Sequence, residues 1–280
     1  MTNSRIYAKL TKDSIPQIST KFPFLYLERG KIHVDDSSIK FISEACVVRI
    51  PVATVQCLFL GPGTSITHEA IKVIAMSGCN ISWVGEDGLS FHAFGVSPTA
   101  TTKSIVKQIE LKASEDSALR VARKMFEYRF PGLDIQDKTL NELMGMEGYR
   151  VREEYQKLAY EHKVRWDGRD IKDGKISEST PINRAMTITN SLMYGLVSSV
   201  IHGLGYSLHI GFIHSGSPLP FVYDVADLYK RQFCIELSFR VTGKLNGQFD
   251  HDYLINEFKN EIVDKSLMTV IIKDLARIMK

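Results

Sequence analysis

The chain has 280 residues, which allows one large domain or two modest ones with a substantial apolar core. Its 35 basic and 32 acidic residues give a net charge of +3, so overall charge does not by itself indicate a polyanionic partner. Because the four cysteines are widely spaced in mostly apolar stretches and no window has the length of a membrane span, the sequence argues against a disulfide scaffold, a cysteine zinc site or a membrane protein and predicts a soluble cytoplasmic protein.

Residues 22 to 95 carry short, often alternating apolar runs of the kind that form strands. Among them are KIHVD, SIKFIS, CVVRI, VQCLFL and ISWVG, and turn signals such as ERGK, DDSS and GEDG separate them. This pattern predicts a small antiparallel sheet assembly. One helix interrupts the strands, with Thr67 as its N-cap and Gly78 at its stop.

The apolar period becomes helical after the stretch GVSPTATT and stays helical to the end of the chain. The sequence predicts one long helix over 103–130, a helix that begins near Glu147, a helix from Pro181 to Gly203, a helix from about Pro218 to Val241, and two shorter helices after it. The fold class is therefore α+β. A small N-terminal β-sheet domain over 1–95 and a linker over 96–102 precede a larger all-α domain over 103–280.

Two acids, Asp224 and Asp227, lie three positions apart on a predicted helix in the stretch YDVADLY. At that spacing both side chains project from one face and can approach a common cation. A solvated pair on an exposed helix face is the commoner explanation of such spacing. The apolar neighbours favour a buried helix, where carboxylates without a counter-ion are costly and a metal ion would offset the cost.

A histidine and a third acid are the other candidate ligands. His214 ends the apolar run LHIGFIH, where a histidine is more often a hydrogen-bonded core residue than a ligand, but the turn SGSPLP after it can fold the chain back toward the aspartates. Glu147 lies at a predicted helix start, where an acid often only complements the helix dipole. Together these groups predict a Mg²⁺ or Mn²⁺ site, since both ions favour oxygen ligands and the imidazole suits Mn²⁺.

Three further residues are weaker candidates. Tyr194 is either a core aromatic residue or a hydroxyl group aimed at the site, and a core role is the more common one. Arg150 and Arg152 follow Glu147 closely and are either phosphate-binding groups or ordinary surface residues. Spacing alone does not decide between these alternatives.

Several motifs together make the chain recognisable. EGYRVREEY, NSLMYG, IGFIHSGSPLPFVYDVADLYK, RKMFEYRF and GPGTSITHEAI occur in this order through nearly the whole sequence. In combination they resemble the CRISPR adaptation integrase family, the Cas-one family, and are most similar to its subtype I-E branch.

The resemblance assigns roles to individual positions. It implies that Glu147, His214 and Asp227 are the metal ligands and that Asp224 is the companion acid beside them. Tyr194 matches a tyrosine that the family keeps near the metal. Lys230 matches a basic residue that faces DNA phosphate, and Arg152 matches an arginine of the glutamate motif. With Arg150 beside them, these residues are expected to hold DNA phosphates.

The resemblance also implies partners, and the sequence departs from it in three places. It implies a homodimer that uses the N-terminal domain for dimerisation and DNA-end contact, and a Cas-two protein dimer that bridges two such dimers. Arg29 stands where the I-E branch has a tyrosine that stacks on the duplex end, and Ser65 and Ser90 stand where basic DNA contacts are expected. Contact with the duplex end is therefore expected to differ, with Tyr26 as one replacement.

The function that the resemblance implies is spacer acquisition. In this reaction the 3′-hydroxyl ends of a short DNA fragment, the prespacer duplex, are joined to a CRISPR repeat by metal-dependent transesterification. Two alternatives remain at this point: a metal-dependent endonuclease that uses water in place of the hydroxyl group, and a DNA-binding scaffold without catalysis. A joined DNA product distinguishes an integrase from the endonuclease, which gives only cut ends. A function that a chelator does not affect would identify the scaffold.

Overall fold

The computed structural model describes residues 21–22, 25–36, 38–55, 57–85, 91–95, 102–132, 134–135, 137–169 and 179–280. The predicted linker over 96–102 lies outside these residues except for Thr102, as does Ser90. A β-sheet region is followed by a longer helical region, so the predicted α+β class is confirmed. The division into two domains stays a prediction.

The N-terminal region forms eight strands, one α-helix and a short 3-10 helix (Val52–Thr54) among the described residues. The strands are β1 (Leu25–Leu27), β2 (Gly30–Asp35), β3 (Ser38–Ser43), β4 (Val47–Ile50), β5 (Cys57–Leu60), β6 (Ser65–Ile66), β7 (Asn80–Val84) and β8 (Phe91–Gly95). They build two four-stranded sheets, of order β1-β5-β7-β8 and β4-β3-β2-β6.

The predicted antiparallel sheet assembly was wrong for part of the pairs, since both sheets are mixed. β2, β3 and β4 pair antiparallel, but β1, β5 and β7 run parallel, and β2 pairs parallel with β6. Helix α1 (His68–Met76) lies between β5 and β7 in the chain and supplies the crossover that a parallel pair needs. Thr67 caps this helix as predicted, because its side chain accepts a hydrogen bond from the amide of Ala70.

The C-terminal region is helical. Its helices are α2 (Lys103–Lys112), α3 (Glu115–Arg129), α4 (Leu140–Glu161), α5 (Pro181–Gly203), α6 (Pro220–Ala226), α7 (Glu236–Lys244), α8 (His251–Asp264) and α9 (Leu267–Ile278), with a π-helical turn (Arg231–Ile235) before α7. Helix α5 matches its prediction at both ends, with proline in its first turn and glycine at its last position.

Three helix predictions needed correction. The predicted long helix over 103–130 divides at Ser114, whose side chain caps α3 by accepting from the amide of Ser117. The predicted helix from Pro218 to Val241 divides into α6, the π-helical turn and α7. Helix α4 begins earlier than predicted, because Thr139 and Glu142 form a capping box.

The earlier start of α4 changes the position of Glu147. This residue lies inside the helix, about two turns after the cap, and not in the first turn. A simple helix-dipole role, the alternative left open above, does not apply there, because that effect falls off within the first turn.

One apolar core joins the two regions. Phe59 of β5 and Val84 of β7 are buried in the same cluster as the helical core built around α5. The sheet β1-β5-β7-β8 therefore packs on α5 and supports the helices that carry the candidate site.

Candidate active site

The histidine and its nearest acid are held by one loop. Asp224, on α6, is fully buried, and its carboxylate accepts hydrogen bonds from the amides of Phe212, Ile213 and His214. The same carboxylate lies 2.8 Å from His214 Nδ1. Because a carboxylate only accepts, Nδ1 carries the proton, and in the neutral ring Nε2 carries the lone pair. Asp224 thus fixes the imidazole with Nε2, the nitrogen that could bind a metal ion, on the side of Asp227.

Asp227 is held between two cations. It caps the C-terminal end of α6, with Oδ1 at 2.6 Å from Lys230 Nζ and Oδ2 at 3.1 Å from Arg129 Nη2. His214 Nε2 lies 3.8 Å from the same Oδ2. Burial on its own would raise the pKa of Asp227, but the charges of Lys230 and Arg129 outweigh it and hold that pKa below its usual value. The carboxylate therefore stays ionised at neutral pH.

Glu147 reaches the same place from α4. Its Oε1 contacts Arg129 Nη2, the nitrogen that also contacts Asp227. Arg129 is the last residue of α3 and its side chain is only 5% exposed. Three elements distant in sequence therefore bring Glu147, His214 and Asp227 to one small region. The alternative of a solvated acid pair is also excluded, since the side chains of Asp224 and Asp227 are 0% and 14% exposed.

The donor set suits a divalent cation in kind. Two carboxylates and an imidazole nitrogen are ligands that Mg²⁺ and Mn²⁺ accept in proteins. Within the described part of the chain, no three histidine, cysteine or acidic side chains are placed to hold an ion as they stand. The physical reason at this site is that the guanidinium of Arg129 lies between the two carboxylates.

Tyr194 and Lys230 lie beside this cluster and contact each other. Lys230 Nζ is 4.5 Å from the centroid of the Tyr194 ring, which packs edge-on against Tyr223 at 5.0 Å. Burial raises the pKa of Tyr194 despite the opposing charge of Lys230, so its hydroxyl group stays protonated. Burial would lower the pKa of Lys230, but Asp227 and Tyr194 raise it overall. Tyr194 is thus a half-buried neighbour of the candidate ligands.

The two predicted phosphate-binding arginines lie on α4 and are exposed. Arg150 follows Glu147 by three positions and so shares its face of the helix, and its guanidinium stacks over Phe130 at 5.0 Å. Arg152 lies further round the helix. Of the two arginines, Arg150 is the one that shares the helix face of Glu147.

The described positions that depart from the family pattern lie in the N-terminal sheets. Arg29 has a left-handed backbone (φ 51°) in the turn between β1 and β2, and Ser65 is an exposed residue of β6. The hydroxyl group of Tyr26 donates to Glu28 at 2.9 Å, and the Tyr26 side chain is half-buried against the main core. These contacts place Tyr26 in the packing of β1.

Sequence reasoning missed Arg129. The residue lies within RKMFEYRF, one of the stretches that carry the family resemblance. The local signal was an arginine between two aromatic residues at a helix end, and the structure shows its guanidinium 5.2 Å from the centroid of the Phe126 ring. Nothing in the spacing indicates that it meets Glu147 and Asp227.

Comparisons with known proteins show the family of the chain. Residues 25–131 match the sequence family described as CRISPR associated protein Cas1. The chain is 47% identical over 277 residues to CRISPR-associated endonuclease Cas1 2 of Chlorobaculum tepidum, covering 99% of this chain and 94% of that protein. It is 34% identical to CRISPR-associated endonuclease Cas1 of Escherichia coli, covering 84% of this chain and 77% of the relative.

A solved structure is also similar. A TtCas1–DNA complex superimposes with a TM-score of 0.82 at 32% identity, covering 92% of this chain and 91% of that one. Separately, no helix in the described ranges is long and apolar enough to span a membrane.

Proposed function

The chain belongs to the CRISPR-associated Cas1 family and is an enzyme of its endonuclease and integrase class, and we propose that Glu147, His214 and Asp227 form the metal centre with which it integrates spacers. In this reaction the 3′-hydroxyl oxygen of the fragment forms a new bond to a phosphorus atom at the repeat boundary. The existing phosphorus–oxygen bond breaks, and the departing strand end takes up a proton. The reaction needs no oxidant or energy source.

One observation carries the proposal. Glu147 and Asp227 contact the same nitrogen of Arg129, while Asp224 fixes His214 with its Nε2 facing Asp227. Such a group of partly buried acids, held around a cation by separate helices, is typical of a site that binds positive charge for catalysis.

A divalent cation held by these three side chains would supply positive charge that stabilises the transition state at the phosphoryl group. Mg²⁺ or Mn²⁺ fits the two carboxylates, and the imidazole nitrogen favours Mn²⁺ of the two. Asp224 orients His214 and is not itself a ligand, because both of its oxygens are used by the loop at residues 212–214.

The basic residues bind the DNA backbone. Lys230 is charged at neutral pH and lies beside Asp227, where it can hold a phosphate next to the reacting one. Arg150 and the more distant Arg152 extend the positive charge along α4, and the hydroxyl group of Tyr194 donates to a phosphate oxygen near Lys230. These contacts weaken with added salt, as phosphate contacts do.

The assembly extends beyond one chain. DNA is the substrate, as prespacer duplex and CRISPR repeat, and the structural relative described as a DNA complex supports this. A homodimer fits the apolar residues that the sheet β4-β3-β2-β6 leaves exposed, which include Val47 at 59%, Val48 at 44% and Ile42 at 39%. A Cas-two dimer bridges two such dimers, and the assembly works in the cytoplasm.

The test is a strand-transfer assay with the full-length chain, its Cas-two partner, a short duplex and a supercoiled plasmid that carries a CRISPR array. Alanine at Glu147, His214 or Asp227 is expected to lower joining by at least about 100-fold, because each removes a ligand of the charge-stabilising centre. Duplex binding, measured by fluorescence anisotropy, should change little. Excess EDTA should stop the reaction of the unaltered protein.

Glu161→Ala is the matched control, because Glu161 lies on the same helix and, among the described residues, forms an ion pair with exposed Lys157 alone. It should keep full activity. Branched, joined DNA identifies an integrase, whereas cut ends alone identify a nuclease. Normal joining by any one of the three ligand variants would contradict the assignment.

A further inference from the structure

Arg129 holds the position that a metal ion would need. Its Nη2 contacts both Glu147 and Asp227, two of the three proposed ligands. Lys230 takes the other oxygen of Asp227 at 2.6 Å. Both oxygens of Asp227 are therefore bound to side-chain cations.

The burial of Arg129 shows that this is a built arrangement and not a surface ion pair. Its side chain is 5% exposed, against 23% for Glu147 and 14% for Asp227. The guanidinium also packs against Phe126, with 5.2 Å between the guanidinium carbon and the ring centroid. Its Nη1 is buried and makes no hydrogen bond within the described residues. A buried donor without an acceptor is costly, and the contacts of Nη2 with the two carboxylates offset that cost.

The charges explain why a cation is needed there without metal. Three acids lie together, Glu147, Asp224 and Asp227, and buried carboxylates near one another repel unless a cation neutralises them. Burial lowers the pKa of Arg129, and the charge of Asp227 opposes that shift, yet a guanidinium keeps its charge in proteins. Arg129 is thus a permanently charged counter-ion for the carboxylates, and it neutralises them without a metal ion from solution.

A metal ion and this guanidinium compete for the same oxygens. Mg²⁺ binds oxygen at about 2.0–2.1 Å in a nearly octahedral shell, which leaves no room for a guanidinium nitrogen between two of its ligands. We propose that Arg129 is the internal counter-ion of the metal centre, which occupies the carboxylate pair in the metal-free protein and leaves it when a divalent cation binds. This inference rests on the proposed function, because it takes Glu147 and Asp227 as metal ligands.

The competition lowers the apparent affinity for metal. If the carboxylates are free of Arg129 for only a fraction of the time, the apparent dissociation constant rises by the inverse of that fraction. The arrangement also keeps the metal-free protein folded, since the acids are neutralised in both states. Removing Arg129 should therefore tighten metal binding and weaken the metal-free fold.

The test is Mn²⁺ binding to the full-length protein, measured by the loss of the free-ion EPR signal. Arg129→Gln is expected to lower the Mn²⁺ dissociation constant at least tenfold relative to the unaltered protein. It should also lower the melting temperature in EDTA and give a larger rise in melting temperature on adding Mn²⁺. Equal or weaker Mn²⁺ binding by the variant would overturn the inference.

Arg120→Gln is the matched control, because it removes the same charge from an exposed position of the same helix. Its Mn²⁺ affinity should equal that of the unaltered protein. Glu147→Gln tests the premise separately. If it binds Mn²⁺ as well as the unaltered protein does, the metal centre itself is wrong. If it loses binding while Arg129→Gln shows no gain, only the role of Arg129 is wrong.

A second measurement covers the case in which Arg129→Gln does not fold. It is an NMR titration of the unaltered protein, in which the Nε–H resonance of Arg129 is followed as Mg²⁺ is added. This resonance is assigned by its absence from the spectrum of Arg129→Lys. It should shift to a new position with saturating Mg²⁺, because the guanidinium leaves the two carboxylates. An unchanged resonance at saturation would overturn the inference.

Discussion

Asp224 accepts four hydrogen bonds from one short loop: three from backbone amides and one from the imidazole of His214. A fully buried carboxylate is costly, and this number of donors offsets the cost. The loop can pass so close to the carboxylate only because Gly211 precedes it. A Cβ atom at Gly211 would lie 2.7 Å from the carbonyl oxygen of His214 and 3.0 Å from Asp224 Oδ2.

The first prediction concerns this glycine. Gly211→Ala is expected to lower the rate of strand joining by about 10- to 100-fold, because moving His214 by even part of an ångström disturbs the centre. The measurement is the joining rate with Mn²⁺, alongside duplex affinity, which should stay within about twofold because the loop residues named here are not the proposed phosphate contacts.

Gly145→Ala is the control for Gly211→Ala. Gly145 is an exposed residue of α4, and a Cβ atom there would meet nothing within 4 Å. The substitution should keep the joining rate and raise the free energy of unfolding by about 0.5–1 kcal/mol, as alanine does inside a helix. A normal joining rate in Gly211→Ala would show that the loop tolerates a side chain and that the position of His214 is less constrained than proposed.

At the scale of elements, one acid on the last helix contacts the two segments that carry Arg129 and Lys230. Asp274 of α9 is 6% exposed and accepts hydrogen bonds from the hydroxyl groups of Tyr128 and Tyr229. Burial and the charge of Asp274 raise the pKa of both tyrosines, so each phenol keeps the proton that it donates. Tyr128 directly precedes Arg129, and Tyr229 directly precedes Lys230.

Removal of this acid should weaken the fold and the site together. Asp274→Ala is expected to lower the free energy of unfolding by about 3 kcal/mol, because two charge-assisted hydrogen bonds are lost and the buried hydroxyl group of Tyr229 is left without its acceptor. Asp274→Asn, which keeps one carbonyl oxygen, should lose less. Urea unfolding measures both.

The control for Asp274 is Asp252→Ala on α8, where the side chain is 94% exposed and the expected change is about 0.5 kcal/mol or less. If Asp274→Ala and Asp252→Ala unfold at the same urea concentration, the link between α9 and the site carries no appreciable stability.

The elements also show what the sequence could and could not predict. Helices α1 and α5 were predictable because their limits are written locally, in Thr67, Gly78, Pro181 and Gly203. The break at Ser114 was missed because good helix formers surround it, and capping competes with helix continuation at a serine. Strand direction was missed because alternation fixes which face of a strand is buried but not which neighbour it pairs with.

The candidate site divides in the same way. His214 and Asp224 could be paired from the sequence because a turn rich in glycine and proline lies between them. Glu147 could be named as a candidate third acid from the residues, but only the family resemblance assigned it as a ligand. Arg129 was not predictable at all, since its contacts with Glu147 and Asp227 depend on how α3, α4 and α6 pack. Local signals predict elements, whereas the convergence of side chains is a property of tertiary packing.

At the scale of the whole molecule, the sheet β1-β5-β7-β8 and the helical region share one core. Phe59 of β5 is 1% exposed and lies in the cluster that contains the buried residues of α5. A Cβ atom at Gly195 of α5 would collide with the Phe59 ring, so this glycine allows the close approach of sheet and helix. Asn80 of β7 also donates to the carbonyl oxygen of Ser199 at 3.1 Å. We therefore expect the two regions to unfold together.

Phe59→Ala tests this cooperativity, because it removes a strand side chain from a core that is mostly helical. It is expected to lower the free energy of unfolding by about 3–5 kcal/mol, the usual cost of emptying a buried aromatic site. The helical circular dichroism signal should be lost in a single transition at a lower temperature than in the unaltered protein. The control is Tyr160→Ala, at a residue that is 88% exposed, which should leave the transition temperature unchanged. If the helices of Phe59→Ala melt at the same temperature as those of the unaltered protein, the helices and the site that they carry are stable without the sheet.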